Sequence, residues 1–151
     1  MSDQKCILRL MTEADLDAVT AIERDCFARP WSREHFMSEI LSDRALAVVA
    51  EAAGRIAGYL CLTVLFEEAE ILDVAVAPEF RRSGIGNALI ESAITESFSR
   101  GASVLRLEVR ATSRPAIAMY EKFEFNQYGL RRAYYENGID AVLMEKRLDR
   151  P

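Results

Sequence analysis

One short segment combines glycines and arginines at the point where a predicted strand gives way to a predicted helix. Residues 81–87 read RRSGIGN. At the start of a helix, unpaired backbone N–H groups and the positive end of the helix dipole converge. Gly84 and Gly86 would let the backbone approach an anion without an intervening Cβ, while Arg81 and Arg82 add positive charge. The segment therefore predicts a phosphate-binding loop.

Two other phosphate-binding patterns fit this loop less well. A dinucleotide-binding loop needs a third glycine where the chain has Leu89, and the Gly-Lys-Ser/Thr of a P-loop is absent. Glu108 follows at about the distance expected of a ribose-binding acid. The dinucleotide alternative is weakened and stays open.

A strand with one charged face follows the helix. Residues 105–110 alternate strictly between apolar and charged types, which places the charged residues on one face. Because this strand should neighbour the phosphate-binding strand inside the sheet, its polar row is expected to line a cleft, with a solvated face as the alternative. Glu108 in that row is a candidate general base. The apolar members are Leu105, Leu107 and Val109, and the charged members are Arg106, Glu108 and Arg110.

Tyr120 is a candidate of a different kind. It lies one helical step beyond Ile117 on a predicted helix over residues 116–122. The spacing predicts a core aromatic residue with its hydroxyl at the rim of the core. Spacing alone does not assign the hydroxyl a chemical role.

The cysteines and the histidine exclude several chemistries. Cys6, Cys26 and Cys61 are odd in number and have no C-x-x-C spacing, which argues against disulfides and against a zinc site. His35 is the single histidine and has no nucleophile motif beside it, so we predict a surface histidine on a short helix. Cys26 and Cys61 are predicted to be small core residues. No metal is expected.

The sequence predicts that these residues lie on a mixture of strands and helices. A capping box at 12–15 opens the first helix, and a glycine at 101 should end the long one. The unit from Glu70 to Val109 predicts a right-handed crossover between parallel strands, preceded by an antiparallel meander. Strands are predicted at 6–11, 45–52, 56–66, 70–76 and 104–109, helices from 12, 32, 85 and 116, and two final strands flanking Asn137-Gly138, a strong hairpin pattern.

Composition sets the class of molecule. The 151 residues are 50% hydrophobic and 28% charged, which is typical of one globular domain, here residues 1–151. A formal charge of −5 argues against a nucleic-acid partner. The eleven-residue run 56–66 is too short for a membrane span, and no apolar signal-peptide region opens the chain, so a cytoplasmic location is expected. Composition does not give the oligomeric state.

Taken together, these motifs resemble a known family over nearly the whole chain. The pattern Arg81-x-x-Gly84-x-Gly86, after a strand ending at Pro78, resembles the acetyl-coenzyme A signature of the GCN5-related N-acetyltransferases. The order of elements is also that of this fold. Residues 30–32 (PWS), 107–110 (LEVR), 116–120 (AIAMY) and 131–135 (RRAYY) are similar to the ribosomal-protein N-terminal alanine acetyltransferases, the RimI type.

The resemblance implies a fold, a cosubstrate and a set of site residues. The fold would be mixed α/β (α+β), with a mostly antiparallel central sheet, helices on both faces and one parallel βαβ unit. Acetyl-CoA would be the cosubstrate, with Glu108 as base and Tyr120 as acid. Acetyl-CoA contacts are expected from Leu72, Val74, Ala75, Val76, Arg81, Arg82, Ser83, Gly84, Ile85, Gly86, Asn87 and Ser113, and acceptor contacts from Trp31, Glu68, Tyr134 and Tyr135.

The expected acceptor is a protein N-terminal amine, in particular an alanine that opens a small-subunit ribosomal protein. The charge of −5 and the acidic residues Glu67, Glu68 and Glu70 favour an acceptor with basic residues after its first one. The alternative is that these glutamates only keep a hairpin soluble and do not contact the acceptor. Two other functions stay open: acetylation of a small amine such as a polyamine or drug, and a non-catalytic domain that senses coenzyme A.

Two positions depart from the family pattern. Ser113 stands where the family commonly has an asparagine near the cosubstrate. Glu124 replaces a glycine after the tyrosine-bearing helix, which predicts a different turn at that point.

Overall fold

The computed structural model describes residues 5–148 and contains the expected alternation of strands and helices. The strands are β1 (Ile7–Leu10), β2 (Ala45–Ala52), β3 (Arg55–Leu65), β4 (Glu68–Val76), β5 (Val104–Arg110), β6 (Asn126–Arg131) and β7 (Ala141–Arg147). The α-helices are α1 (Leu16–Cys26), α2 (Arg33–Leu41), α3 (Ile85–Ser99) and α4 (Arg114–Lys122), with 3₁₀ turns at Glu13–Asp15, Pro78–Phe80 and Glu136–Gly138.

The strands form one mixed sheet in the order β1-β2-β3-β4-β5-β7-β6. The pairs β1–β2, β2–β3, β5–β7 and β6–β7 are antiparallel. The pair β4–β5 is parallel, with Glu68 opposite Val104 and Glu70 opposite Arg106. This confirms the predicted mixed, mostly antiparallel sheet with one parallel βαβ unit, and it makes β5 an inner strand.

Contacts between residues group the described chain into two compact units. The first comprises residues up to 63 together with 73–93, and the second comprises residues 64–72 together with those from 94 onward. Both β4 and α3 contribute residues to each unit. The single domain expected from the sequence stays a prediction.

In the first unit, the sequence pattern of α1 produces the expected packing. The Thr12 backbone N–H donates to Asp15 Oδ2 at 2.8 Å, which forms the predicted capping box ahead of the helix. Leu16 and Val19 of α1 are fully buried. Gly58 in β3 is required by a close approach, because a Cβ there would lie 2.7 Å from the Ala75 carbonyl oxygen.

In the second unit, β5 shows the predicted alternation. Leu105, Leu107 and Val109 are buried, whereas the charged residues between them are only partly covered. Gly101 follows the end of α3 with φ of +93°, the left-handed conformation predicted for that position. Pro115 lies in the first turn of α4, also as predicted.

The last two strands differ from a tight hairpin. They flank Asn137-Gly138, but their ladder closes at the pair Arg131–Ala141, so residues 132–140 form a longer connection. Asn137 and Gly138 do take positive φ values of 60° and 72°. The loop is held by Asp140, whose Oδ1 accepts the Ala133 backbone N–H at 2.8 Å. The loop is also bridged by the Tyr135 N–H, which donates to the Ile139 carbonyl at 2.9 Å.

Glu124 also differs from expectation. Its φ of 68° lies in the left-handed region that favours glycine. Its backbone N–H donates to the Glu121 carbonyl at 2.9 Å, and the next residue, Phe125, donates to Tyr120 at 3.0 Å. The glutamate occupies the conformation that a glycine would favour, so the substitution does not require a different turn.

Candidate active site

Residues 81–87, here called the cradle, lie at the start of α3 in the first unit. The Ala88 N–H donates to the Gly84 carbonyl at 3.0 Å, so the N–H groups of residues 85–87 precede this helical bond and project from the helix end. Arg82 and Gly84 both have positive φ, 60° and 84°, which curves the loop as in anion-binding backbone nests. These features are compatible with a phosphate-binding loop, and phosphate binding by residues 81–87 stays a prediction.

Arg81 and Arg82 differ in their surroundings. Arg81 Nε donates to the Val76 carbonyl at 3.3 Å, and its Nη2 lies 3.4 Å from Cys26 Sγ. Burial raises the pKa of the Cys26 thiol, and the nearby guanidinium acts in the opposite direction. Arg82 is exposed. Arg81 is exposed as well, but its hydrogen bond ties it to the end of β4.

The end of β4 leads into this cradle. In the second unit, the parallel pairing with β5 joins Glu68 through Glu70, and β4 then continues to Val76. Leu72 is 36% exposed, whereas Asp73 and Ala75 are buried. The predicted cosubstrate residues Val74, Ala75 and Val76 belong to the first unit together with residues 81–87, and Leu72 and Ser113 belong to the second.

In the second unit, Glu108 lies among cationic and aromatic side chains. Arg131 Nη2 is 3.4 Å from Glu108 Oε1, and the Arg131 guanidinium lies 5.3 Å from the centre of the Tyr134 ring. The rings of Tyr134 and Tyr135 meet edge to face at 5.1 Å. Burial, and then the Glu108 charge, raise the pKa of Tyr135. The structure therefore brings the candidate base and both predicted acceptor tyrosines into one cluster.

Arg110 closes this cluster on another side. Its Nη2 donates to Glu136 Oε1 at 2.8 Å, and its guanidinium lies 4.6 Å from the centre of the Tyr135 ring. Hydrogen bonding to Glu136 raises the pKa of Arg110. The two tyrosines are thus each covered by an arginine, which fixes the ring positions beside Glu108.

The acidic start of β4 contains two different environments. Glu68 forms an ion pair with Arg106, whose Nε also donates to Glu145 Oε1 at 3.1 Å. Burial, and then the charge of Glu108, raise the pKa of Glu70. The predicted acceptor residue Glu68 is therefore already paired, whereas Glu70 shares the negative field of the candidate base.

Tyr120 and Ser113 belong to α4. Tyr120 is 5% exposed and its ring packs 5.8 Å from that of Phe125, as the spacing predicted. Ser113 is the residue just before α4, and its carbonyl accepts the Ile117 N–H at 3.0 Å. Packing and helix capping account for their places, and the acid role of Tyr120 stays a prediction.

Trp31 lies in the first unit, at the connection between α1 and α2. Its ring stacks on the exposed His35 at 3.7 Å with an interplanar angle of 10°. Ser32 caps α2 by accepting the His35 backbone N–H at 3.1 Å. This segment borders an open cavity of about 540 Å³ that is lined by Asp17, Thr20, Arg24, Pro30, Trp31, Ser32 and Arg33.

Behind Trp31 lies a group of buried polar residues that the sequence analysis did not single out. Glu23 is 2% exposed; its Oε1 accepts the Tyr59 hydroxyl at 2.6 Å and its Oε2 accepts the Trp31 backbone N–H at 2.9 Å. Asp73 of β4 lies beside it and is 9% exposed. Burial, and then the neighbouring Glu23 carboxyl, raise the pKa of Asp73 to about 9.

The pattern of the sequence contains a signal for this group. Glu23 follows Val19 by four positions, on the face of α1 that also buries Leu16. Asp73 alternates with the buried Ile71 and Ala75 on β4. A charged residue at a core position of a helix or strand indicates a buried polar group that needs a partner, but it does not identify that partner.

The described part of the chain contains neither a candidate metal cluster nor a candidate membrane-spanning helix. Within residues 5–148, no group of three or more His, Cys, Asp or Glu side chains could hold a metal ion. No helix among these residues is long and apolar enough to span a bilayer.

Comparisons with known proteins identify similar chains. The model of the Acetyltransferase (GNAT) family matches residues 16–125. The ribosomal protein bS18-alanine N-acetyltransferase of Escherichia coli strain K12 is 38% identical over 133 residues, 86% of this chain and 89% of that protein. The enzyme of the same name from Salmonella typhimurium strain LT2 is 36% identical over 140 residues, 91% of this chain and 94% of that protein.

A solved structure is similar over nearly the whole chain. The crystal structure of the Escherichia coli ribosomal-protein-S18-alanine N-acetyltransferase matches with a TM-score of 0.88 and 35% identity. The match covers 97% of this chain and 96% of that one.

Proposed function

The chain belongs to the acetyltransferase (GNAT) family, and we propose that it acetylates a protein N-terminal α-amine, in particular the N-terminal alanine of a small-subunit ribosomal protein. It is an acetyl-CoA-dependent N-acetyltransferase. The observation that carries the finer proposal is the 36–38% identity, over most of both chains, to enzymes named for the alanine of ribosomal protein bS18.

The cradle at the start of α3 fits the pyrophosphate of acetyl-CoA. The N–H groups of residues 85–87 precede the helical bond from Ala88 to Gly84, and the left-handed Arg82 and Gly84 curve the loop around that point. A doubly charged diphosphate satisfies such donors and the helix dipole together. Arg82 supplies an exposed positive charge beside it.

The strand before the cradle supports the next contacts. Its parallel pairing with β5 joins residues 68–70, and residues 72–76 follow. We assign the thioester and pantetheine to the backbone of this stretch, with an N–H near Val74 donating to the acetyl oxygen. The thioester supplies an activated acyl group, so no covalent acyl-enzyme is needed.

Glu108 is assigned the role of base. An incoming ammonium must lose a proton before its nitrogen can attack, and a carboxylate accepts it directly or through a water molecule. Arg131 at 3.4 Å holds the carboxylate, and Tyr134 and Tyr135 form the apolar wall beside it. Tyr120, buried in α4, is assigned to protonate the leaving sulfur.

Titration favours an α-amine as the acceptor. An α-amino group has a pKa near ~8 and a lysine side chain near ~10.4, so at neutral pH the former presents roughly a hundredfold more free amine. A single carboxylate is then a sufficient base. We assign acceptor contacts to Trp31, Tyr134, Tyr135 and the acidic start of β4.

The proposed location follows from the proposed acceptor. Ribosomal proteins are made in the cytoplasm, and an enzyme that modifies their N-termini meets them there. We therefore propose a cytoplasmic protein.

The deciding experiment is a panel of acceptors incubated with acetyl-CoA. It contains peptides beginning with alanine, the same peptides with a blocked N-terminus and one internal lysine, and spermidine. We expect acetylation at the α-amine of the alanine peptides, located by fragment masses. Faster acetylation of lysine or spermidine would replace the proposal with a small-amine or lysine acetyltransferase, and no product from any acceptor would indicate a coenzyme A-binding sensor.

A further inference from the structure

Two carboxyl groups are buried side by side in the first unit without an arginine or lysine bonded to either among the described residues. Glu23 is 2% exposed and Asp73 is 9% exposed. Asp73 Oδ2 is buried and, within residues 5–148, has no donor to accept from while the carboxyl is ionised. Because two adjacent buried carboxylates repel each other strongly, one shared proton is the stable arrangement, and that proton supplies the missing donor.

Glu23 connects this pair to the Trp31 segment. One of its oxygens accepts the Tyr59 hydroxyl at 2.6 Å, and the other accepts the Trp31 backbone N–H at 2.9 Å. The residues that Glu23 joins therefore come from β3, β4 and the α1–α2 connection. Trp31 in turn borders the cavity of about 540 Å³, and its ring is fixed by stacking on His35.

We propose that Glu23 is a positioning residue of the acetyltransferase, which holds the Trp31 segment in place for the acceptor and needs the protonated Asp73 carboxyl beside it to do so. The proposal rests on the proposed function insofar as Trp31 is assigned to the acceptor. Glu23 acts through Trp31 and has no contact with acetyl-CoA in this assignment. Its loss should therefore weaken acceptor use and leave acetyl-CoA binding intact.

Asp73 makes this arrangement sensitive to alkaline pH. Burial and the Glu23 carboxyl raise the pKa of Asp73, whereas the Val74 backbone N–H acts in the opposite direction. As the pH rises through about 9, Asp73 loses its proton and the pair becomes two repelling carboxylates. The titratable groups that face the pair are Tyr59 and Cys61 from β3 and Cys26 from α1. Beyond them, Glu39 of α2 acts on Cys61, and Asp25 and Arg81 act on Cys26.

The fluorescence of Trp31 reports the segment directly, because it is the single tryptophan of the chain. In Glu23→Gln, the amide cannot accept from both the Tyr59 hydroxyl and the Trp31 N–H in the same geometry. We expect a red-shifted Trp31 emission at pH 7, a KM for an alanine-starting peptide raised about tenfold, which is the loss expected for one charged hydrogen bond, and a KM for acetyl-CoA changed less than twofold.

Two further variants separate positioning from general destabilisation. Tyr59→Phe removes the other bond of Glu23 and keeps the Trp31 contact, so its emission and acceptor KM should stay within twofold of the parent. In Asp73→Asn, the side-chain amide N–H donates to Glu23 at any pH, whereas the aspartic acid donates only while it is protonated. This variant should keep the parent emission at pH 7 and lose the emission change that the parent shows between pH 8 and pH 10. Cys26→Ala, which removes the neighbouring thiol, should retain that change.

The outcomes decide the proposal independently of the acceptor. If the parent acetylates no peptide, the proposed function fails, while the emission of Glu23→Gln and the alkaline change in Asp73→Asn still test the positioning role. A folded Glu23→Gln with unchanged emission, or an alkaline change that persists in Asp73→Asn, would overturn the proposal. An equal rise in the KM values of acetyl-CoA and acceptor would also overturn it.

Discussion

Glu108 is held between a cation and two aromatic rings, and this arrangement determines what its substitution should do. Arg131 lies 3.4 Å from the carboxylate, so Glu108→Gln removes both the base and an ion pair. We expect turnover to fall by ~10²–10⁴, as is typical for an acid–base group, with acetyl-CoA affinity little changed. The turnover of Tyr120→Phe should fall by a factor in the same range. Since the free amine forms unaided at high pH, the Glu108→Gln deficit should shrink there.

The control for that measurement is Glu96→Gln, an exposed carboxylate on α3 that pairs with Arg100 at 3.8 Å. It should leave the pH–rate profile unchanged. If Glu108→Gln has the profile of the parent, then Glu108 is a structural partner of Arg131 and another group accepts the proton.

At the residue scale, a candidate base in a charged row of a strand was easier to predict than carboxyl groups at core positions. Glu108 stands in a charged row of a strictly alternating strand, so the sequence alone marks it. Glu23 and Asp73 occupy core positions, and their pairing depends on α1 meeting β4, which no local pattern specifies. The bond from the Trp31 backbone N–H to Glu23 is likewise visible only once the chain is folded.

At the scale of elements, the two ends of α3 offer a matched pair of glycines. Gly84 before the helix and Gly101 after it have φ of 84° and 93°, so alanine at either position meets similar left-handed strain of about 1 kcal/mol. We expect Gly84→Ala to lower coenzyme A affinity at least tenfold, because residue 84 belongs to the loop that we propose binds the pyrophosphate. Gly101→Ala, with nothing within 4 Å of its Cβ, should bind coenzyme A normally.

Calorimetry with coenzyme A measures both affinities, and thermal unfolding checks that both variants lose similar stability. Equal affinities for coenzyme A in the two variants would show that the pyrophosphate does not bind at the start of α3.

Element types were predictable where one local rule decides, and loop lengths were not. The glycine at 101 and the proline at 115 place the end of α3 and the start of α4 as expected. Asn137-Gly138 has the backbone that its residue types favour, yet the connection runs from 132 to 140. The connection is bridged by the bond from the Ala133 N–H to Asp140, seven residues away, a contact that turn statistics do not contain.

At the scale of the whole molecule, the sheet follows from the order of elements. The helix between β4 and β5 predicts a parallel neighbour, and the short connection between β2 and β3 predicts an antiparallel pair, as observed. The position of β7 between β5 and β6 comes from long-range pairing, for example Arg106 opposite Glu145. Sequence patterns indicate which strands exist but give only part of their order.

The net charge of the molecule leads to a prediction about the acceptor. The chain has 24 acidic and 19 basic residues, for a formal charge of −5. A negative surface attracts basic peptides over several ångströms and is screened by salt, with a Debye length of about 10 Å at 0.1 M ionic strength. Glu70 adds to this field beside Glu108, whereas Glu68 is already paired with Arg106, which also bonds Glu145.

We therefore expect an alanine-starting peptide with arginines downstream to be acetylated about fivefold faster, at subsaturating concentration, than the same peptide with glutamates, since exposed charge pairs contribute up to ~1 kcal/mol. Because ions screen this attraction, the ratio should approach one as the salt concentration rises from 20 mM to 500 mM. Glu70→Gln should reduce the low-salt ratio more than Glu68→Gln, whose carboxylate is already paired. Competition between the two peptides, read by product mass, measures the ratio, and equal rates at low salt would show that charge plays no part in acceptor choice.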